Sequence, residues 1–116
     1  MQGVQFTATS TTAENQMLSN PMYIHSIPNN NDNQDIVSMG TNAAVITSKV
    51  IENAFEVLSI ELITIVQAID VLEQKNEISS VSKKMYDDVR TIIPTFKQDQ
   101  VMYPFIQKVK EYMMEN

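Results

Sequence analysis

The 116-residue chain contains no cysteine, and only two glycines and four prolines. Without cysteine it cannot form a disulfide framework or a cysteine-ligated zinc or iron–sulfur centre. The scarcity of glycine and proline argues against a β-sandwich, whose many turns recur about every 8 to 12 residues. The composition therefore favours a few long secondary-structure elements.

Basic residues are also few, with 8 against 14 acidic residues and a net charge of −6. No basic cluster exceeds Lys83–Lys84, so we expect neither nucleic acid nor an anionic membrane as a partner. The most apolar window, residues 60–72, contains Glu61, Gln67 and Asp70 and falls short of the roughly 20 apolar residues of a membrane span. Together with the lack of cysteine, this leads us to expect a cytoplasmic protein.

Helical periodicity predicts an all-α chain whose first helix lies within residues 5–19. Thr11 and Glu14 have the spacing of a capping box, so that helix could begin there instead. Asn20–Pro21 should end it, because a residue before proline disfavours the α conformation.

A much longer helix is predicted from Thr41 to about Gln74, or about 45 Å at 1.5 Å per residue. Its second half is apolar nearly all round, which is typical of helices buried on several sides. Two shorter amphipathic helices follow, over residues 79–93 and 103–114. They cannot cover a helix longer than a compact domain of this size, whose radius of gyration would be about 13 Å. We therefore expect a large exposed apolar surface unless other chains or further sequence pack against it.

Several titratable residues are interpreted as structural or solvated. His25 is followed directly by Ser26, but adjacent side chains do not form a catalytic pair. Asp32 and Asp35 could suggest calcium, but the surrounding run lacks the central glycine and closing glutamate of an EF-hand loop. The carboxylates of the long helix are more simply solvated or paired with a neighbouring cation: Glu52, Glu56 and Glu61.

The most informative polar segment is "NNNDNQDIVSMG", residues 29–40, which precedes the long helix. Asparagine and glutamine offer both donors and acceptors without charge, so they can hold a carboxylate, a phenol or an amine. They also satisfy irregular backbone through local hydrogen bonds. Composition alone leaves both a binding role and a solvated loop open.

Two stretches, "QFTATSTTAENQMLSNPMYIHSIP" and "NQDIVSMGTNAAVITSKVIENAFEVLSIELITIVQAID", resemble the C-terminal part of the aromatic amino acid ammonia-lyases. This family includes histidine, phenylalanine and tyrosine ammonia-lyases and related aminomutases, and "MYDDVRTIIP" and "DQVMYPFIQKVKEYM" extend the resemblance over essentially the whole chain. It implies a helical fold with a central bundle and homotetramers whose active sites combine residues of several subunits. It also implies elimination of ammonia to an α,β-unsaturated acid, using a 4-methylideneimidazol-5-one group (MIO) made from an internal Ala-Ser-Gly.

No Ala-Ser-Gly occurs in the 116 residues. The resemblance also implies an N-terminal loop whose tyrosine is the usual catalytic base and an arginine region that binds the substrate carboxylate, and both are missing here. We therefore expect the chain to be a C-terminal segment that is inactive alone. It would comprise a helix and active-site loop (1–40), a long core helix (41–75) and C-terminal helices (76–116). Two alternatives remain: a segment of an MIO aminomutase, or a non-catalytic helical oligomerisation module derived from this fold.

The resemblance carries a role to residues of the Asn-rich run. Gln34 matches a position that is glutamate in histidine ammonia-lyases and glutamine in the phenylalanine and tyrosine enzymes, so it is expected to act in catalysis and substrate binding. Asn33 matches an asparagine near substrate or product, and Asn30 matches a position where bacterial tyrosine-type members also carry asparagine, so both are expected to bind substrate. Asp35 is expected to be structural. No metal site is expected. A neutral glutamine does not favour a basic imidazole by charge, so tyrosine is preferred to histidine as the expected substrate, and a histidine ammonia-lyase stays open as the alternative.

Overall fold

The computed structural model describes residues 1–28, 30–31, 33 and 37–116. Within these residues the regular secondary structure is all helical, which confirms the predicted all-α class. It extends over 67 × 29 × 21 Å with a radius of gyration of 19.9 Å, so it is far more elongated than a compact domain of this length. The helices, in chain order, are α1 (Gln2–Met17), a 3₁₀ turn (Met22–Ile24), α2 (Gly40–Val71), α3 (Ser80–Ile92) and α4 (Tyr103–Glu115).

Helix α1 begins at Gln2, so the expected capping box at Thr11 and Glu14 is wrong. Both side chains instead point across to α2. The Thr11 hydroxyl donates to Glu56 Oε1 at 3.3 Å, and Glu14 Oε2 accepts from Asn53 Nδ2 at 2.8 Å. Despite these contacts α1 buries none of its residues.

Helix α2 has 32 residues, or about 48 Å, and agrees with the predicted long helix apart from its last residues. It stops because Glu73 adopts a left-handed conformation, with φ of 58°. The Glu73 N–H then donates to the Asp70 carbonyl at 3.2 Å and the Gln74 N–H to the Ile69 carbonyl at 3.0 Å. This pair of bonds is a Schellman motif, which satisfies carbonyls at a helix end.

The apolar core lies between the second half of α2, α3 and α4. In the part of the chain that the structure describes, every buried apolar side chain lies at or after Ile60. The core therefore assembles from residues that are distant in sequence but confined to the C-terminal half. Its members are Ile60, Ile63, Val66, Tyr86, Val89, Ile93, Ile106 and Val109.

A polar junction fastens the end of α2 to α3 and the segment after it. The Asp70 carboxylate accepts from the Tyr86 hydroxyl, from Thr95 Oγ1 at 2.5 Å and from Arg90 Nη2 at 2.5 Å. Arg90 Nη1 also donates to the Ile93 carbonyl at 3.1 Å. Partial burial alone would raise the pKa of the Asp70 carboxyl. The hydrogen bonds from Thr95 and Tyr86 and the charge of Arg90 have the larger effect, so the pKa of Asp70 lies below its ordinary value.

The starts of α3 and α4 follow their sequence signals. Ser79 is the N-cap of α3, and its hydroxyl accepts the Ser82 N–H at 3.1 Å. Pro104 lies in the first turn of α4, where its missing N–H would have no helical partner. Both features confirm the predicted helix starts.

One apolar stripe of α2 faces solvent. It consists of Ile51, Leu58 and Ile65, together with Leu72 at the C-cap, each seven residues after the last and 44 to 62% exposed. Seventh-residue spacing keeps side chains on one side of a helix, with a drift of about 20° per step. The stripe agrees with the large exposed apolar surface expected from the sequence. No helix in the described part of the chain is both long and apolar enough to cross a membrane.

Candidate functional site

The predicted site residues lie in the connection between α1 and α2, residues 18–39. The two helices form an antiparallel hairpin, because Thr11 contacts Glu56 whereas the later Asn15 donates to the earlier Val50 carbonyl at 3.3 Å. Connections between packed helices usually have about 2 to 8 residues. This one is much longer, and connections of such length in compact proteins are commonly functional.

Asn30 and Asn33 belong to one tight turn. The Asn33 N–H donates to the Asn30 carbonyl at 3.1 Å, and both residues are exposed. Asn30 and Asn31 have φ of 53° and 57°, in the left-handed region that asparagine tolerates better than most residues. The left-handed backbone at position 30 is therefore enough to explain an asparagine there, without any ligand. Gln34, the predicted catalytic residue, and Asp35 lie outside the described residues.

A second contact joins the two sides of the connection. The Val37 N–H donates to Ser26 Oγ at 3.1 Å, which closes the chain around the turn of Asn30 and Asn33. The neighbouring His25 is exposed, and its backbone N–H donates to the Met22 carbonyl at 3.1 Å at the end of the 3₁₀ turn. This contact involves the backbone alone, so the structural role of the His25 side chain stays a prediction.

An open groove of about 500 Å³ lies between the connection and the first turns of α2. Its lining is mostly apolar, with Met22, Met39, Ile46 and Val50 among its residues, and it also includes Ser19 and Asn20. Among the described residues that form the lining, neither Asn30 nor Asn33 appears. The turn and the groove are therefore two separate features of the same connection.

The carboxylates of the long helix are solvated or hydrogen-bonded to a neighbouring helix. Glu52 and Glu61 are exposed, and the half-buried Glu56 accepts the Thr11 hydroxyl. Among the residues that the structure covers, no group of three or more His, Cys, Asp or Glu could hold a metal ion. The chemistry offered by the described connection is neutral hydrogen bonding from exposed amides, which can orient a polar ligand without charge.

The sequence interpretation missed a buried polar contact between α1 and α2. Asn53 is 3% exposed, and its Nδ2 donates to Glu14 Oε2 at 2.8 Å and to Asn15 Oδ1 at 2.9 Å. A signal was present, because Asn53 lies seven residues from both Ile46 and Ile60, on the face that α2 turns inward. A single polar residue in an apolar repeat often specifies how helices align.

The chain is similar to known proteins over nearly its whole length. The family model described as aromatic amino acid lyase matches residues 1–91. Histidine ammonia-lyase 1 of Fusobacterium nucleatum is 39% identical over 113 residues, covering 97% of this chain and 22% of that protein. The MIO-dependent tyrosine 2,3-aminomutase of Streptomyces globisporus is 35% identical, covering 94% of this chain and 20% of that protein.

Two solved structures closely match the backbone of this chain. The crystal structure of tyrosine aminomutase from Streptomyces globisporus has a TM-score of 0.94 and 33% identity, over 98% of this chain and 22% of that one. Phenylalanine aminomutase from Pantoea agglomerans has a TM-score of 0.92 and 32% identity, over 97% and 22%. The chain thus spans about a fifth of the length of the relatives it matches.

Proposed function

Because the chain belongs to the aromatic amino acid lyase family, we propose that it is the C-terminal segment of an MIO-dependent aromatic amino acid ammonia-lyase. The complete enzyme would eliminate ammonia from its amino acid and leave an α,β-unsaturated acid. The observation that carries the proposal is the near-complete match of this chain, including the long connection, to a fifth of each relative.

In this proposal the connection supplies one wall of the active site. Asn30 and Asn33 share one turn at the surface, where neutral amides can hydrogen-bond a substrate carboxylate or amine. Gln34, next in the chain, would act beside them as the residue that orients the reacting group. These amides also suit the neutral MIO group, which supplies the electrophile of such enzymes. This chain lacks the Ala-Ser-Gly that would form it.

The proposed substrate is tyrosine rather than histidine. Gln34 carries no charge, so it gives a basic imidazole no electrostatic advantage over a hydroxyphenyl ring. A glutamate there would favour a cationic ring, since opposite charges attract most strongly where water is excluded.

A second candidate, an MIO aminomutase, is favoured by the backbone matches. Two of the similar solved structures are a tyrosine and a phenylalanine aminomutase, with TM-scores of 0.94 and 0.92. An aminomutase would return the ammonia to the neighbouring carbon before product leaves. Both candidates use the same turn of Asn30 and Asn33, and they differ in how long the unsaturated acid stays bound.

We propose that the solvent-facing stripe of α2 packs against the rest of the same enzyme in a homotetramer. The stripe runs from Ile51 to Leu72, a span of about 32 Å at 1.5 Å per residue. Apolar side chains repeated on one helix face are buried by packing another helix against them. The roughly four-fifths of the relatives' length that lies outside this chain provides the partner surfaces.

Activity of the complete polypeptide that carries this segment tests the proposal. Unsaturated acid should form from tyrosine, whereas the 116-residue chain alone should form none from tyrosine, phenylalanine or histidine. Gln34→Glu should raise the histidine-to-tyrosine ratio of kcat/KM about tenfold or more, as one favourable charge contact of about 1.4 kcal/mol implies. Asn42→Asp, a matched charge change on the exposed first turn of α2, should leave the ratio unchanged.

Three outcomes would count against the proposal. An unchanged ratio in Gln34→Glu would remove the substrate assignment. β-Amino acid instead of free unsaturated acid would favour the aminomutase. A complete polypeptide with no activity on any aromatic amino acid would favour the non-catalytic module.

A further inference from the structure

We propose that Asn53, Glu14 and Asn15 form a polar clamp that fixes the position of α1 on α2 and thereby positions the turn of Asn30 and Asn33. The proposal rests on the proposed function for its link to catalysis. Its structural part stands on the contacts alone.

The polar clamp uses both N–H groups of one buried amide. Asn53 Nδ2 donates to Glu14 Oε2 at 2.8 Å and to Asn15 Oδ1 at 2.9 Å, and Asn53 is 3% exposed. Asn15 Nδ2 in turn donates to the Val50 carbonyl at 3.3 Å, one turn earlier in α2. A buried donor that loses its acceptor costs about 1 to 3 kcal/mol, so these contacts oppose displacement of α1.

The geometry permits one alignment of the helices. Glu14 and Asn15 are neighbours in α1, so their side chains leave the helix about 100° apart. Both reach the same nitrogen only when Asn53 lies between them. A slide by one residue would shift α1 by about 1.5 Å and rotate one acceptor away. Apolar contacts tolerate such a slide more easily, because they have no direction.

Apart from the polar clamp, the contacts of the second half of α1 with α2 include the Thr11–Glu56 hydrogen bond at 3.3 Å and the exposed Lys49–Glu14 pair at 4.0 Å. The residues before the connection that pack against the apolar core all lie at or near the start of α1: Met1, Val4 and Ala8. The polar clamp lies within one turn of Met17, where α1 ends and the connection begins. The other end of the connection is continuous with α2 at Gly40. The clamp therefore sets one of the two anchor points of the turn.

The polar clamp would affect catalysis through the position of the connection. If α1 shifts by about 1.5 Å, the connection starts from a displaced point and its amides move relative to the reacting atoms. A displacement of about 1 Å can reduce turnover on the order of 100-fold, because orientation contributes directly to the barrier. Asn53, Glu14 and Asn15 are thus positioning residues that act through Asn30 and Asn33.

A reciprocal exchange in the complete enzyme tests the proposal. Asn53→Asp removes the donors and places a carboxylate beside Glu14, so kcat should fall about tenfold or more while KM changes less than about threefold. Glu14→Gln alone keeps an acceptor oxygen and should change kcat less than about threefold. In the double variant the Gln amide donates to the new carboxylate, and kcat should recover to within about threefold of the parent.

Backbone hydrogen exchange of residues 18–39 in the same variants is the second readout. The exchange rate should rise about tenfold in Asn53→Asp and should return to the parent's rate in the double variant. If Asn53→Asp does not fold, Asn15→Ala, which removes one acceptor, takes its place with an expected threefold loss of kcat.

The two readouts separate the proposals. Folded Asn53→Asp enzyme with the parent's kcat would show that the cluster only stabilises the fold, and would overturn the positioning role. A double variant no better than Asn53→Asp would overturn the clamp itself. If the parent enzyme has no activity, the proposed function fails, and the exchange data alone decide whether the clamp holds the connection.

Discussion

Different forces stabilise the two halves of this molecule. In the C-terminal unit, residues 60–116, apolar side chains from three helices bury one another. In the N-terminal arm, residues 1–59, the described part buries Asn53 and Ser59 but no apolar side chain, and α1 buries nothing. The difference shows that the C-terminal unit supplies its own core, whereas the arm depends on directional contacts and on surfaces outside this chain.

The forces also differ in size. Burying a Val, Leu or Ile side chain contributes about 1.5 to 3 kcal/mol, whereas a typical net hydrogen bond contributes about 0.5 to 1.5 kcal/mol. Several such side chains lie in the C-terminal unit, and the polar clamp offers two bonds from Asn53. We therefore expect most of the free energy of unfolding of the isolated chain to reside in the C-terminal unit.

The largest expected effect is a cavity in the C-terminal unit. Ile63 is 1% exposed, whereas Ile65 in the same turn of α2 is 49% exposed. Ile63→Ala should lower the free energy of unfolding of the 116-residue chain by about 2 to 5 kcal/mol, because a buried side chain leaves a void. Ile65→Ala should cost less than about 1 kcal/mol. Urea unfolding followed by circular dichroism measures both.

The same two substitutions also test the proposed assembly. In the complete enzyme Ile65 lies on the stripe that we propose to be covered, so Ile65→Ala should there weaken the tetramer in sedimentation experiments. Equal losses for both substitutions in the isolated chain would contradict the comparison, since they would mean that the exposed face of α2 is buried in solution.

The sequence was sufficient where local signals decide the structure. Ser79 caps α3 through a hydroxyl three residues from the N–H it accepts, and Pro104 fixes a first turn. The span of α2 followed from its periodicity. Its end needed Glu73 in a left-handed conformation, which nothing in the residue type predicts, since such conformations favour glycine or asparagine.

The sequence was insufficient where side chains pair across elements. Thr11 and Glu14 satisfy a local capping pattern, yet both bond to α2, because facing helices compete for the same polar groups. The contacts of Asp70 with Tyr86 and Arg90 depend on how α2 and α3 pack. Of the predicted site, Asn30 and Asn33 share one turn, and the roles of Asn30, Asn33 and Gln34 all stay predictions.

The second effect in size concerns the polar junction at Asp70. Asp70→Asn should lower the free energy of unfolding by about 2 to 3 kcal/mol at pH 7, because it leaves the mostly buried Arg90 without its anion. The exposed pair of Asp87 with Lys75 at 3.0 Å is the control. Asp87→Asn should cost less than about 1 kcal/mol, since surface ion pairs contribute little.

The Asp70 contribution should depend on pH in a defined direction. The pKa of Asp70 in the folded protein lies below 3.8, so its carboxylate stabilises the fold above that pH. As pH falls below 3.8 and passes through the lowered pKa, the contribution is lost. The stability difference between parent and Asp70→Asn should therefore be constant near pH 7 and shrink in acid. A difference that grew as the pH fell would contradict the ion-pair explanation.

The smallest effect concerns the start of α3, which differs from the starts of the other three α-helices. The cap positions of α1, α2 and α4, which are Met1, Met39 and Met102, make no side-chain cap hydrogen bond, whereas Ser79 provides one for α3. Ser79→Ala should cost about 1 kcal/mol in urea unfolding. Ser80→Ala, one position into the helix, should be neutral or slightly stabilising because alanine favours helix. If Ser80→Ala cost as much as Ser79→Ala, the cap bond would not explain where α3 begins.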